Sequence, residues 1–123
     1  MDRLFFALAS ISGFLGVALG AFGTHGLRGK LTPDLLRVWE TGVQYQMLHA
    51  FALIAVVFAA QRFPQGPWVG AGWCFALGTV VFSGSLYALS LSGIRWLGAI
   101  TPIGGLLFLA GWILLLVSAL KAS

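Results

Sequence analysis

Polar positions in this chain punctuate long apolar stretches instead of alternating with apolar neighbours. Four uncharged blocks lie between the charges: Leu4 to Thr24, Thr41 to Gln61, Phe63 to Ile94 and Trp96 to Leu120. At about 1.5 Å of rise per residue, a helical block of some 20 residues crosses the roughly 30 Å hydrocarbon core of a bilayer. Ten-residue strands with period-two alternation are absent from the sequence, which argues against a closed barrel and leaves helices as the way to span lipid with every backbone group paired. The pattern therefore predicts an all-α, integral-membrane four-helix antiparallel bundle in a single domain, 1–123, with spans at about 4–24, 41–61, 68–92 and 96–120.

The connections support that topology. Gln61 to Pro67 holds two prolines and a glycine, and only Ser92 to Trp96 joins the last two blocks, so consecutive helices must run antiparallel. The longer link, His25 to Glu40, reads in two parts. Thr32 is placed to cap a helix starting at Pro33, with Asp34 in its first turn complementing the helix dipole. At 100° per residue Asp34, Arg37, Glu40, Thr41 and Gln44 share one arc, with Leu35, Trp39, Gly42 and Gln46 roughly opposite. This is a short amphipathic lead-in at the water-lipid boundary, running into the second span. Trp39, Trp68 and Trp96 mark block edges, as interfacial aromatics do. Pro102 implies either a kink in the fourth helix or a late start to it.

Composition removes the remaining alternatives. Of 123 residues 59% are hydrophobic and 8% charged, against about 25% charged in a soluble domain. The formal charge of +4 comes from Arg3, Arg28, Lys30, Arg37, Arg62, Arg95 and Lys121. They are scattered between the blocks, so they form no stripe for nucleic acid and suit anionic lipid headgroups instead. The denser basic cluster in the first link predicts that link on the cytoplasmic side, with both termini outside. Ala18, Leu19 and Gly20 before Ala21 would serve as a cleavage site, but the weak charge of the first residues and the length of the apolar run predict a retained helix. Cys74 is the only cysteine, so it forms no internal disulfide and is read as a small packing residue.

Apolar burial does not drive helix association within lipid, whereas close approach through small residues does. Gly13, Gly16, Gly20 and Gly23 fall within one arc of the first helix; Gly70, Cys74 and Gly78 repeat every fourth residue in the third; Thr101, Gly104, Gly105 and Gly111 lie toward one side of the fourth. These are expected to be packing seams.

The candidate chemistry emerges when depth is combined with helical angle. Gly42, Tyr45, Gln46 and His49 share a face of the second helix, and Thr79, Ser83, Tyr87 and Ser90 a face of the third. Thr101 enters early in the fourth, and Thr24 and His25 leave the first, all in the half of the bilayer next to the first and third links. Polar side chains are expensive in lipid and should turn inward. The expectation is a small polar chamber lined by Tyr45, Gln46, His49, Ser83, Tyr87 and Thr101, lidded by His25 and the amphipathic segment, serving either a function or as an interior hydrogen-bond clamp. Truncation of His49 is expected to leave Gln46 or Tyr87 without a partner.

No carboxylate lies within a span, so no catalytic triad or carboxylate pair is available at depth, and no phosphate loop or metal-ligand cluster is present. No catalytic residue, metal or cofactor is expected. Three functions remain open. The first is a non-enzymatic binding or accessory component, attached to another membrane protein or self-associating. The second is an oligomeric permeation unit for a small solute or ion. The third is a membrane enzyme or haem protein using His49 or His25.

Several runs carry a family resemblance. Gly20 to Leu27 (GAFGTHGL), Trp39 to Gln46 (WETGVQYQ) with His49 and Ala50, Phe82 to Tyr87 (FSGSLY), and Leu97 to Gly105 (LGAITPIGG) with Gly111 and Trp112 resemble the small membrane family known as domain of unknown function 423, which includes the eukaryotic transmembrane protein 256 type. Thr24 and Gly42 stand where that family commonly has alanine, a small-for-small change. The resemblance implies a four-helix protein of the bacterial inner membrane. It supplies no activity and no catalytic residues.

Overall fold

The structure, a computed structural model, describes residues 1–121. Helix α1 covers Asp2–Phe22 and closes in a single π-helical turn over Gly23–Leu27; α2 covers Pro33–Arg62 and α3 Trp68–Ser92; a 3₁₀ turn over Arg95–Ala99 leads into α4, Thr101–Lys121. All four, with their terminal turns, are long and apolar enough to cross a membrane. The fold is an all-α four-helix antiparallel bundle with a short amphipathic lead-in to its second helix.

Local signals set the helix ends. Thr32 Oγ1 accepts the Leu35 N–H at 3.2 Å, Pro33 occupies the first helical position, and Asp34 pairs with Arg37 at 2.6 Å. The 30 residues of α2 would reach about 45 Å. Its first turns therefore stand outside the hydrocarbon core, continuous with the span. Gly93, at φ 73°, ends α3 in a left-handed conformation, its N–H returning to the Leu89 carbonyl at 2.7 Å. Pro102 is the second residue of α4, where the missing N–H leaves no helical bond unmade. The late start is thus the observed alternative, and the fourth helix begins at Thr101 instead of Trp96.

Antiparallel packing follows from residue order. Gly16 meets Met47 and Gly20 meets Val43 between α1 and α2; Gly42 meets Tyr87 between α2 and α3; Gly70 meets Leu114, Gly78 meets Phe108 and Gly111 meets Phe75 between α3 and α4. Each helix packs chiefly on its predecessor, with a minor diagonal contact between α2 and α4. No comparable packing joins α1 to α4 among the described residues. The core, formed by Phe5, Ala9, Ala52, Leu53, Val56, Ala71, Phe75 and Phe108, fills the half of the bundle near the termini and extends past its middle at Phe108.

The glycines divide sharply by role. A Cβ on Gly104 would fall 2.5 Å from the Phe82 backbone nitrogen, so α3 and α4 touch backbone to backbone there. Around Gly13 nothing lies within 4 Å, and Gly105 has only ordinary contact with Phe82. Neither is a close-approach residue: Gly13 faces open space beside the helix contact, and Gly105 lies at the edge of one.

Candidate functional site

Most hydrogen bonds that join one helix to another lie in the link-side half of the bundle, and one, between α2 and α4, lies near its middle. Gln46, buried on α2, donates through Nε2 to the Ser12 carbonyl of α1 at 2.9 Å and accepts through Oε1 from the Tyr87 hydroxyl of α3 at 2.7 Å. One carboxamide thus ties three helices. Ser83, 1% exposed, donates to the Gly42 carbonyl at 2.7 Å; Gly42 makes room for this approach, since a Cβ there would fall 2.7 Å from the Tyr87 ring.

His49 belongs to a second cluster. Its Nδ1 lies 2.9 Å from the Tyr45 carbonyl, which only accepts, so Nδ1 carries the proton. Nε2 is then the acceptor for the Trp112 indole N–H of α4 at 3.2 Å. The ring stacks on Phe108 with centroids 3.6 Å apart and 6° from parallel. The imidazole is held as one neutral tautomer, with both nitrogens engaged by protein groups. A proton on Nε2 would confront the indole N–H, and a metal or haem iron would have to displace Trp112.

A third clasp joins Ser85 of α3 to Thr101 at the head of α4, hydroxyl to hydroxyl at 2.6 Å. In the terminal half, by contrast, Ser10 and Ser118 bond only to carbonyls of their own helices.

The structure places the sequence-derived candidates as follows. Gln46, Ser83 and Tyr87 come together; His49 and Tyr45 lie together elsewhere; Thr101 sits with Ser85. No hydrogen bond among the described residues links these groups, so a single chamber does not form. The reason is geometric: Gln46 precedes His49 by three residues, and that rotation is enough to turn one toward α1 and α3 and the other toward α4. Tyr45, on the His49 side, stays 37% exposed with its ring against Phe82. His25 is no lid: it is exposed on the π-helical turn. The partner of His49 is Trp112 and not Gln46 or Tyr87.

Two clefts flank these clusters. One, of about 490 Å³, lies between α1 and α3 over Gln46 and Leu53 of α2. The other, of about 530 Å³, lies between α2 and α4 beside Tyr45, His49, Pro102 and Trp112. Among the described residues no group of three or more His, Cys, Asp and Glu side chains converges as a metal site would require.

Three contributors were not evident from sequence. Trp39 is an internal pin rather than an interfacial aromatic: it is 3% exposed and donates its indole N–H to the Leu19 carbonyl at 2.9 Å. Gly23 admits it, since a Cβ there would fall 2.7 Å from the indole, and the widened π turn begins at that glycine. Its place opposite the polar arc of the lead-in was the available signal. Trp112 lies in the middle of an apolar block, where only the rarity of an indole N–H at that depth marks it. Ser12 supplies its carbonyl, and its hydroxyl is the one buried side-chain polar atom without a partner among the described residues.

Comparison with known proteins gives a consistent picture. The family model described as "Protein of unknown function (DUF423)" matches residues 19–105. The UPF0382 membrane protein YwdK of Bacillus subtilis (strain 168) is 49% identical over 120 residues, covering 97% of this chain and 98% of that protein. The UPF0382 membrane protein SH2409 of Staphylococcus haemolyticus (strain JCSC1435) is 50% identical, covering 97% of each chain. The UPF0382 inner membrane protein YgdD of Escherichia coli (strain K12) is 44% identical, covering 98% of this chain and 92% of that protein. No solved structure matches. Together with the four apolar helices, these relatives make the chain a multi-pass protein of the inner (plasma) membrane, in contact with the lipid bilayer.

Proposed function

We propose that this chain, which belongs to the DUF423 family, is a non-enzymatic component of the inner membrane that binds or supports a partner without transforming a substrate. The observation that carries this reading is that seven polar side chains within the spans are engaged across helices. Gln46, Tyr87, Ser83, Ser85, Thr101, His49 and Trp112 are each held by a hydrogen bond to another helix. A catalytic acid, base or nucleophile needs a free, poised group, and these residues instead clamp the bundle. The same engagement of both His49 nitrogens speaks against haem ligation, and the filled core around Phe5, Leu53 and Val56 speaks against a water path through one copy. The 123 residues act in this reading as one transmembrane domain.

The test is isolation from native membranes in copolymer nanodiscs at natural expression levels. The expected result is a stoichiometric membrane-protein partner by mass spectrometry and no Soret absorbance. Isolation of the chain alone as a monomer, or a haem spectrum that disappears in His49→Leu, overturns the proposal.

A further inference from the structure

The α1–α3 cleft is an apolar groove with basic residues beyond one end. At the terminal end the Phe5 side chain of α1 reaches α3, packing against Gly72 and lying edge-on to Trp73 with centroids 5.6 Å apart. Toward the links, Trp39 ties α1 to α2 through the Leu19 carbonyl and packs against the Tyr87 ring of α3. The opening is walled by Leu8, Leu15 and Leu19 on one side and by Leu77, Val80 and Tyr87 on the other. Leu15 is 45% and Val80 69% exposed, so the cleft opens sideways into the bilayer.

From Leu8 to Leu19 the wall is about 16 Å long at the helical rise. The cleft holds a volume of about 490 Å³ along that length. It is a long apolar groove open to the acyl layer, and it suits one extended hydrocarbon chain whose headgroup meets the charge at its link end. Its Leu19 and Tyr87 end faces the first and third links, where Arg28, Lys30 and Arg95 are exposed. The one ion pair among the described residues, Arg37 with Asp34, leaves those three cations without a carboxylate partner, while Glu40 is the other acid on that side.

We propose that the α1–α3 cleft seats one acyl chain of an anionic glycerophospholipid whose phosphate lies at the basic surface of the first and third links. The site goes beyond the partner-binding role and does not depend on it. The chain enters laterally between Leu15 and Val80, and the cations select the headgroup. Near a membrane surface each basic residue contributes about a fivefold preference for anionic lipid.

Native mass spectrometry of the full chain, delipidated in detergent and then offered equimolar phosphatidylglycerol and phosphatidylcholine, tests this. The expected result is one retained phosphatidylglycerol per chain in preference to phosphatidylcholine. Leu15→Trp should fill the cleft and abolish retention. Gly84→Leu, which projects from a lining position with nothing within 4 Å, should do the same without a clash if Leu15→Trp fails to fold. The combined Arg28→Gln, Lys30→Gln, Arg95→Gln variant should keep a lipid but lose the headgroup preference. Retention unchanged by a folded cleft-filling variant, equal retention of both lipids by the wild type, or retention of neither overturns the proposal. Because the readout is lipid, none of these results bears on whether a protein partner exists.

Discussion

Replacement of Gly104 by alanine isolates a helix contact in which backbone meets backbone. The added Cβ would lie 2.5 Å from Phe82 N and 2.7 Å from Phe82 Cα, against 3.4 Å where ordinary contact begins. The shortfall is 0.9 Å, and the obstructing atoms are backbone, which cannot rotate aside as a side chain can. Helices α3 and α4 must therefore separate, straining the Ser85–Thr101 clasp one turn away. Overpacking of this kind costs about 1 to 3 kcal/mol. The gain in helix propensity from glycine to alanine, about 1 kcal/mol in soluble hosts, offsets part of it. Gly13→Ala provides the control, because it brings the same propensity gain with nothing within 4 Å. Reversible unfolding in mixed micelles, followed by circular dichroism against denaturing detergent, should show Gly104→Ala destabilised and Gly13→Ala neutral or up to about 1 kcal/mol more stable. Equal effects of the two substitutions would refute the assignment of Gly104 as a steric contact point.

Other substitutions address the hydrogen-bonded clusters. Tyr87→Phe removes the donor to Gln46 and should cost about 0.6 to 2 kcal/mol, with a double-mutant cycle against Gln46→Leu returning a coupling in that range; additivity of the two would show that the bond contributes nothing. His49→Leu should insert normally but lose stability by a similar amount, and the loss should shrink in a Trp112→Phe background; an unchanged penalty there would mean that Trp112 is not the partner. Ser12→Ala removes a buried hydroxyl with no partner while leaving its carbonyl bond to Gln46 intact, so its unfolding midpoint should stay or rise; a clear fall would reveal an unrecognised partner for Ser12 Oγ.

The fold was legible because lipid imposes one severe rule, and the uncharged blocks obey it. Thr32, Pro33 and Asp34 gave the start of α2 directly, since capping is a local interaction carried by adjacent residues. The start of α4 was ambiguous between Trp96 and Thr101 because a proline is compatible with either a kink or a first turn. Depth along each helix also carried over: the interhelical hydrogen bonds do concentrate toward the links. Azimuth carried over less well. Gln46 and His49 fit within one generous arc on a helical wheel, yet α1, α3 and α4 divide that arc between two clusters. Which neighbour claims a residue depends on helix crossing geometry, and that is a property of pairs of helices, not of one sequence segment. Trp39 misled for a related reason: an indole at a block edge has two stable destinations, the headgroup layer or a backbone carbonyl. The space left by Gly23 on another helix decided between them.

The bundle is laid out in the order in which its helices are synthesised, with α1 and α4 as separate flanks. A chain emerging into the membrane can therefore dock each new helix onto a finished one, without waiting for a distant segment to arrive. Both polar atoms of the Gln46 carboxamide have a partner once the third helix brings Tyr87, so the first three helices already close a hydrogen-bonded unit to which the fourth is added. Assembly by short-range steps of this kind is fast and leaves polar side chains stranded in lipid only briefly.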